Sequence, residues 1–228
     1  MKLLIATPAY GGLLTTGYTH SALQTKEFLS RNNIDVHFYF IDNESLIQKG
    51  RNQCASYALK EKYDRIIFID ADIRWTVDDI VYLINSSRLV IGGTYPCKAV
   101  PIRLSFNPLP KDIDLYFGGV CDRGVKGFRK FKESCADENG EVEVLHVPTG
   151  FLQIRIEVLQ KLAESVPQYM SAGNLQYNFF PVRVTPEGVL ESEDWGFCSL
   201  CREHGIPVYM QTKSVLAHTG SYEFKAAV

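Results

Sequence analysis

The chain has 228 residues, with 24 Lys and Arg against 26 Asp and Glu and a formal net charge of -2. That balance excludes the broad basic footprint of a nucleic-acid-binding domain, and no apolar run approaches the roughly 20 residues of a membrane-spanning helix. Six Cys in such a chain, behind an N-terminal apolar run too short for a secretory leader, fit reduced thiols in a soluble cytoplasmic protein better than a disulfide framework.

Strand and helix patterns alternate through the first hundred residues. "KLLIATP" is a continuous apolar run of the buried parallel type. "YTHSALQTKEFLSRNN" has helical apolar spacing and ends on Asn-Asn. "IDVHFYFID" predicts a second strand, and "SLIQKGRNQCASYALKEK" a helix interrupted near Gly50. "DRIIFID" predicts a third strand, "TVDDIVYLINSS" a helix with Thr76 as N-cap, and "RLVIGGTYP" a fourth strand. This βαβαβαβ order predicts an α/β, Rossmann-like, mostly parallel sheet with helices on both faces.

Beyond Pro96 the pattern is irregular. Short strands and loops are expected up to Asn139. In "EVEVLHVPTGFLQIRIEVLQKLAESV" we read a strand, a tight turn at Thr149-Gly150 and a helix. Residues 167–190 read as a loop-rich segment, followed by a helix around "EDWGFCSLCREHG", the strand "IPVYMQ" and the tail "SVLAHTGSYEF". With no repeat, linker or low-complexity tract, one domain over 1–228 is expected. It has a nucleotide-binding half (1–98) and an irregular acceptor and catalytic half (99–228).

The chemistry concentrates at strand ends, where open α/β sheets bind ligands. The third predicted strand runs into Asp70-Ala71-Asp72. Two carboxylates this close repel unless a cation sits beside them, and hard oxygen donors suit Mg²⁺ or Mn²⁺ shared with a diphosphate. The competing reading is a loop cap at Asp70 and a solvated Asp72. "GGTYPCK", with Lys98 as a phosphate contact, and "PTGF", with Thr149 and Gly150, are further cleft candidates. There Gly permits close backbone approach to a ligand. Cys198 and Cys201 read as structural thiols rather than a redox or zinc pair.

The residue set as a whole resembles the nucleotide-sugar glycosyltransferases of the GT-A fold, and among them the small viral (large algal virus) and bacterial enzymes. The resemblance rests on "TPAYGG", on Arg51-Asn52, on the DxD motif at 70–72, on "VPTGF", on "SEDWGFC" and on "AHTGSYEF", in that order over nearly the whole chain. It implies a metal-dependent transfer of a sugar, by inversion, from a nucleotide-sugar donor to a glycan or glycoconjugate acceptor hydroxyl. The donor favoured is a UDP-sugar. Thr7, Pro8, Ala9 and Tyr10 would cradle the nucleoside, and Asp42 would hold the base or ribose. Arg51 would face the phosphates through its planar fork. Asp70 and Ala71 would lie against the donor, with Asp70 on the ribose or a metal-bound water and Asp72 on the metal itself. His218 would be the second metal ligand, and one imidazole among oxygens favours Mn²⁺ over Mg²⁺. Asp194 is the implied general base, with Glu193 its rival. Neighbours on a helix point about 100° apart, so one of the two should face the cleft. Acids at a helix start are also ordinary dipole partners. Trp195 packs under a sugar or in the core. The tail would bring Tyr222 and Phe224 over the donor. The other readings are a sugar nucleotidyltransferase and a non-catalytic carbohydrate- or protein-binding domain on the same fold.

Overall fold

The computed structural model describes residues 1–99, 102–112, 125–220 and 223–225. Strands β1 (Lys2–Ala9), β2 (Asp35–Asp42), β3 (Arg65–Ile69) and β5 (Val90–Gly93) alternate with helices α1 (Thr16–Arg31), α2 (Ile47–Lys60) and α3 (Val77–Asn85), and the short strand β4 (Ile73–Arg74) precedes α3. The later chain adds β6 (Asn107–Pro108), α4 (Val125–Cys135), β7 (Glu141–His146), β8 (Phe151–Arg155) and α5 (Ile156–Ala163). After these come β9 (Gln168–Ser171), β10 (Asn174–Tyr177), β11 (Arg183–Val184), β12 (Leu190–Glu191), α6 (Glu193–Glu203), β13 (Val208–Gln211), β14 (Ala217–Thr219) and β15 (Glu223–Lys225).

An eight-stranded sheet runs in the order β2-β1-β3-β8-β5-β13-β7-β6. β2, β1, β3, β5 and β13 run one way, and β8 and β7 run against them. The α/β class with a mostly parallel sheet therefore holds. Its helices cover both faces because every central strand is apolar on both. Leu4, Ala6, Ile66 and Phe68 join one core with α2, α4, α5 and α6, while Leu3, Ile5, Ile67 and Ile69 join a second with α1 and α3. Each of these Leu, Ile and Phe side chains, fully buried, contributes roughly 1.5–3 kcal/mol.

Four expectations change. Residues 151–155 form β8, wedged antiparallel between β3 and β5, and the helix starts only at Ile156. A short run buried on both sides has no period that separates helix from strand. The segment 167–190 holds a β9–β10 hairpin turned by Ala172 and Gly173, both at positive φ. The charge-rich region before Asn139 contains α4. And α2 continues through Gly50, a buried position packed beside Pro8. Among the described residues, no helix is long and apolar enough to cross a membrane.

A three-stranded sheet, β15-β14-β4, positions the site. It lays the last described strands against the segment that follows the turn at Asp70–Asp72, with His218 paired to Ile73.

Candidate active site at the ends of β1 and β3

The turn after β3 is held from three sides. Asp70 N–H donates to the Gly150 carbonyl (3.0 Å), and Ile73 N–H closes the turn on the Asp70 carbonyl (3.0 Å). Thr15, the N-cap of α1, donates its backbone N–H to the Ala71 carbonyl (3.0 Å). Thr219 N–H bonds the Asp72 carbonyl (2.9 Å). Three distant segments thus fix the orientation of two carboxylates one residue apart.

Arg51 departs from its expected role. Its guanidinium is buried, with Nη2 on Asp70 (3.0 and 3.3 Å) and Nε on Glu193 (3.2 Å). Nη1 is buried and bonds none of the described residues. Burial opposes the charge, but the two carboxylates outweigh it and hold the guanidinium pKa above its ordinary value. Rather than an open clamp for phosphate, Arg51 is a buried strut tying the β3 end to the start of α6.

Asp72 faces the other way. Its carboxylate lies 3.4 Å from His218 Nε2 and is ion-paired with Lys98. Burial would raise its pKa, yet the bonds from His218 and Lys98 prevail and lower it. His218 Nδ1 lies 2.9 Å from the Pro96 carbonyl, an acceptor only, so Nδ1 carries the proton. Nε2 is then the ring atom facing Asp72, donating to the carboxylate when the ring is protonated and open to a cation when it is not. An imidazole nitrogen so oriented, beside a carboxylate, is the donor pair of a borderline divalent cation. Among the described residues no cluster of three or more His, Cys, Asp or Glu is arranged for a metal. A cation held here would therefore take Asp72 and His218 from the protein and its remaining ligands from substrate and water.

Asp70, the third metal candidate, spends its carboxylate on Arg51 and takes no place in that pair. Lys98, expected on phosphate, reaches Asp72. Thr7 is fully buried with its hydroxyl on Tyr18 (2.6 Å), and Ala9 is buried, so neither side chain faces a nucleoside. Thr149 is buried with its hydroxyl unpartnered among the described residues, which closes it to a sugar. Thr7 and Ala9 land inward because β1, a parallel strand buried on both faces, has no solvent side. Pro8 is half-buried against α2, while Tyr10 and Asp42 stand exposed at the ends of β1 and β2, and the Gly11-Gly12 turn lies beside Asp42.

Of the two acids at the start of α6, one is tied to the β3 end through Arg51 and the other bonds its chain neighbours. Glu193 is on Arg51, whereas Asp194 takes the Ser192 hydroxyl and the Trp195 N–H (2.8 Å). Trp195 stacks on the buried His146 at 4.7 Å and 7° between planes. Tyr222 lies outside the described residues. Of Phe224 only the backbone is described, in register with His218.

The chain is similar in structure to TarS of S. aureus. Against TarS residues 1–349 the TM-score is 0.45 at 14% identity, over 99% of this chain and 60% of that one. A Drosophila β1,4-galactosyltransferase 7 mutant, in complex with manganese, UDP-Gal and xylobiose, gives a TM-score of 0.44 at 14% identity, over 92% and 65%. GalNAc-T7 with UDP, GalNAc and Mn²⁺ gives 0.47 at 9% identity, over 100% and 44%. The chain thus spans less than two thirds of the length of each. No family model matches the chain, and no curated protein matches it.

Tyr95 joins the constellation without having been singled out as a site residue. Its ring is buried, edge-on to His218 (5.0 Å between centroids). Burial first, and the Asp70 charge second, push its phenol well above the ordinary value, so it stays a neutral hydroxyl. The sequence marked it only as part of the cleft candidate "GGTYPCK", with no role of its own.

The same packing explains Gly150. A Cβ there would collide with the Tyr95 hydroxyl and stand 2.7 Å from Asp70 Oδ2. Gly150→Ala is expected to destabilise the fold by about 1–3 kcal/mol, the range of overpacking. Chemical denaturation checks it, and a Gly150→Ala chain as stable as the parent would refute the close packing of Tyr95 and Asp70.

Proposed function

We propose that the chain is a GT-A glycosyltransferase, folded as one domain over 1–228. It moves a sugar from a nucleotide-sugar donor to an acceptor hydroxyl with inversion. A UDP-sugar is the donor taken here, UDP being the nucleotide named in the similar solved structures. The observation that carries the reading is the Asp72–His218 pair at the end of β3, where strand order reverses around β1, beside the Asp70–Arg51–Glu193 triad.

Asp72 and His218 would hold Mn²⁺ or Mg²⁺, which when bound supplies positive charge against the leaving diphosphate. The chain's own residues divide the remaining work. Tyr10 and Asp42, exposed at neighbouring strand ends, flank the nucleoside. Arg51 keeps Asp70 and Glu193 in register. Lys98, paired with Asp72 here, would be free for a phosphate oxygen were a cation held by Asp72. Asp194 accepts the acceptor hydroxyl's proton, with Glu193 as the alternative base.

The test is calorimetry with UDP, GDP and CDP, with and without Mn²⁺ or Mg²⁺, alongside a transfer assay. UDP binding is expected to need the cation and to be lost in Asp72→Asn and weakened in His218→Ala. Full turnover in excess chelator would defeat the metal assignment. One observation favours a second reading: the Lys98 ammonium already neutralises Asp72. On a non-catalytic domain it would stay there, and Asp72→Asn would leave ligand binding unchanged.

A further inference from the structure

The outer margin of the eight-stranded sheet is β2, which pairs with β1 and with no other described strand. Asp35 N–H bonds the Met1 carbonyl, so the odd-numbered residues of β2 turn their backbone groups to β1 and the even-numbered ones turn theirs outward. The Val36 carbonyl belongs to the outward set and accepts from Lys26 Nζ of α1 (2.7 Å). The outer N–H and C=O groups of Phe38 and Phe40 bond none of the described residues.

The outward-turned residues also line a groove between β2 and α1. Its volume is about 660 Å³, and Ala22, Leu23, Phe38 and Phe40 are among its walls. Leu23 is 67% exposed and Phe40 41%. Edge strands are ordinarily blunted by charge, Pro or a bulge, and an open apolar edge is a template for another strand. Lys26 blunts this one at a single carbonyl and leaves the aromatic stretch open.

We propose that β2 pairs antiparallel with β2 of a second copy of this chain, about a twofold axis at Tyr39. Only an extended segment satisfies a row of outer N–H and C=O groups. Outward groups must meet outward groups, which sets Phe38 against Phe40 of the second copy and Val36 against its Asp42. Directly opposed side chains share a face, so Phe40 of each copy enters the groove of the other beside Phe38. Charge selects this register. In it the Asp42 N–H of the second copy takes the Val36 carbonyl, and the displaced Lys26 ammonium meets the Asp42 carboxylate. The twofold register centred on Phe38 instead sets Phe40 against Val36 and packs the Asp35 carboxylate beside Ile41. A carboxylate has two oxygens, so the ion pair leaves one on Asp42 for a nucleoside. The inference stands on the edge itself and does not rest on the transfer reading.

Sedimentation equilibrium of the whole chain, without nucleotide or cation, tests it together with amide hydrogen exchange at several chain concentrations. A dimer is expected. The Phe38 and Phe40 amides should exchange more slowly as it forms, whereas those of Tyr39 and Ile41, bonded to β1, should be protected throughout. Leu23→Glu, at an exposed helix position, should weaken the dimer about tenfold or more and leave the melting temperature of the dilute chain unchanged. Lys26→Glu should weaken it as much by facing Asp42 with a like charge, and adding Asp42→Lys should restore it. A chain that stays monomeric up to about 1 mM overturns the proposal, whether its edge then stays bare or takes up an added extended peptide. So does a dimer that survives Leu23→Glu, a dimer in which the Phe38 and Phe40 amides stay fast, or an assembly larger than two. Failure of the charge exchange to restore the dimer overturns the register.

Discussion

Asp194→Asn is expected to lower sugar transfer by a factor of roughly 10² to 10⁴, the scale of general base catalysis, while sparing UDP and metal binding. The geometry separates the two effects. Asp194 is oriented by the Ser192 hydroxyl and the Trp195 N–H, whereas the proposed cation ligands are Asp72, in the turn before β4, and His218 on β14. Asn preserves the volume and one acceptor oxygen but cannot take a proton as a carboxylate does. Glu193→Gln should behave differently, because Glu193 accepts from Arg51. Its main expected loss is in the stability of the Asp70–Arg51–Glu193 triad, with a smaller loss in the chemical step. Calorimetry with UDP and an assay that reports anomeric configuration check both. An Asp194→Asn chain with normal turnover removes the base assignment, and a product retaining the donor's configuration overturns single displacement.

Arg51→Met is expected to destabilise the fold by about 3–5 kcal/mol, because removing one partner strands the other buried charges. The Glu193 side chain is 14% exposed and that of Asp70 26%, which moves the expectation to the lower half of that range. At a chain length of 228 each kcal/mol corresponds to roughly 2–4 °C of melting temperature. Arg51→Lys should recover only part of the loss, since a point charge on a flexible stem does not reproduce two separate fork contacts. Adding Asp70→Asn and Glu193→Gln to Arg51→Met should recover more, because no uncompensated charge then remains. Thermal melts of the series read the effect. An Arg51→Met chain that melts within about 1 °C of the parent would show that the triad contributes little to folding.

The outline of the site was legible because strand ends can be read locally. An apolar run that stops at Asp70-Ala71-Asp72 marks both the end of a buried strand and the charges it presents, so the α/β class and the carboxylate position followed from residues 1–98. His218 was legible only as a resemblance, since nothing within "AHTG" indicates what it meets. The pairing of β14 with β4 brings it to Asp72 across more than half the chain. The inward turn of Thr7 was already implied by reading "KLLIATP" as a strand buried on both faces, whereas nothing local to "PTGF" marks the turn at Thr149 as buried. β8 was misread as helix because a short run buried between two strands carries no periodicity.

What the sequence determined by itself was the alternation of strand and helix, the carboxylates at the end of β3, the acid pair at the start of α6 and the overall charge balance. Each depends on neighbours a few residues apart. The tertiary structure alone decided the antiparallel insertion of β8, the burial of Arg51 between Asp70 and Glu193, the contact of Lys98 and His218 with Asp72 and the placing of Tyr95 against Gly150. Those contacts join segments separated by tens to well over a hundred positions. Their partners are selected by which faces the sheet leaves open and which charges must be neutralised once water is excluded.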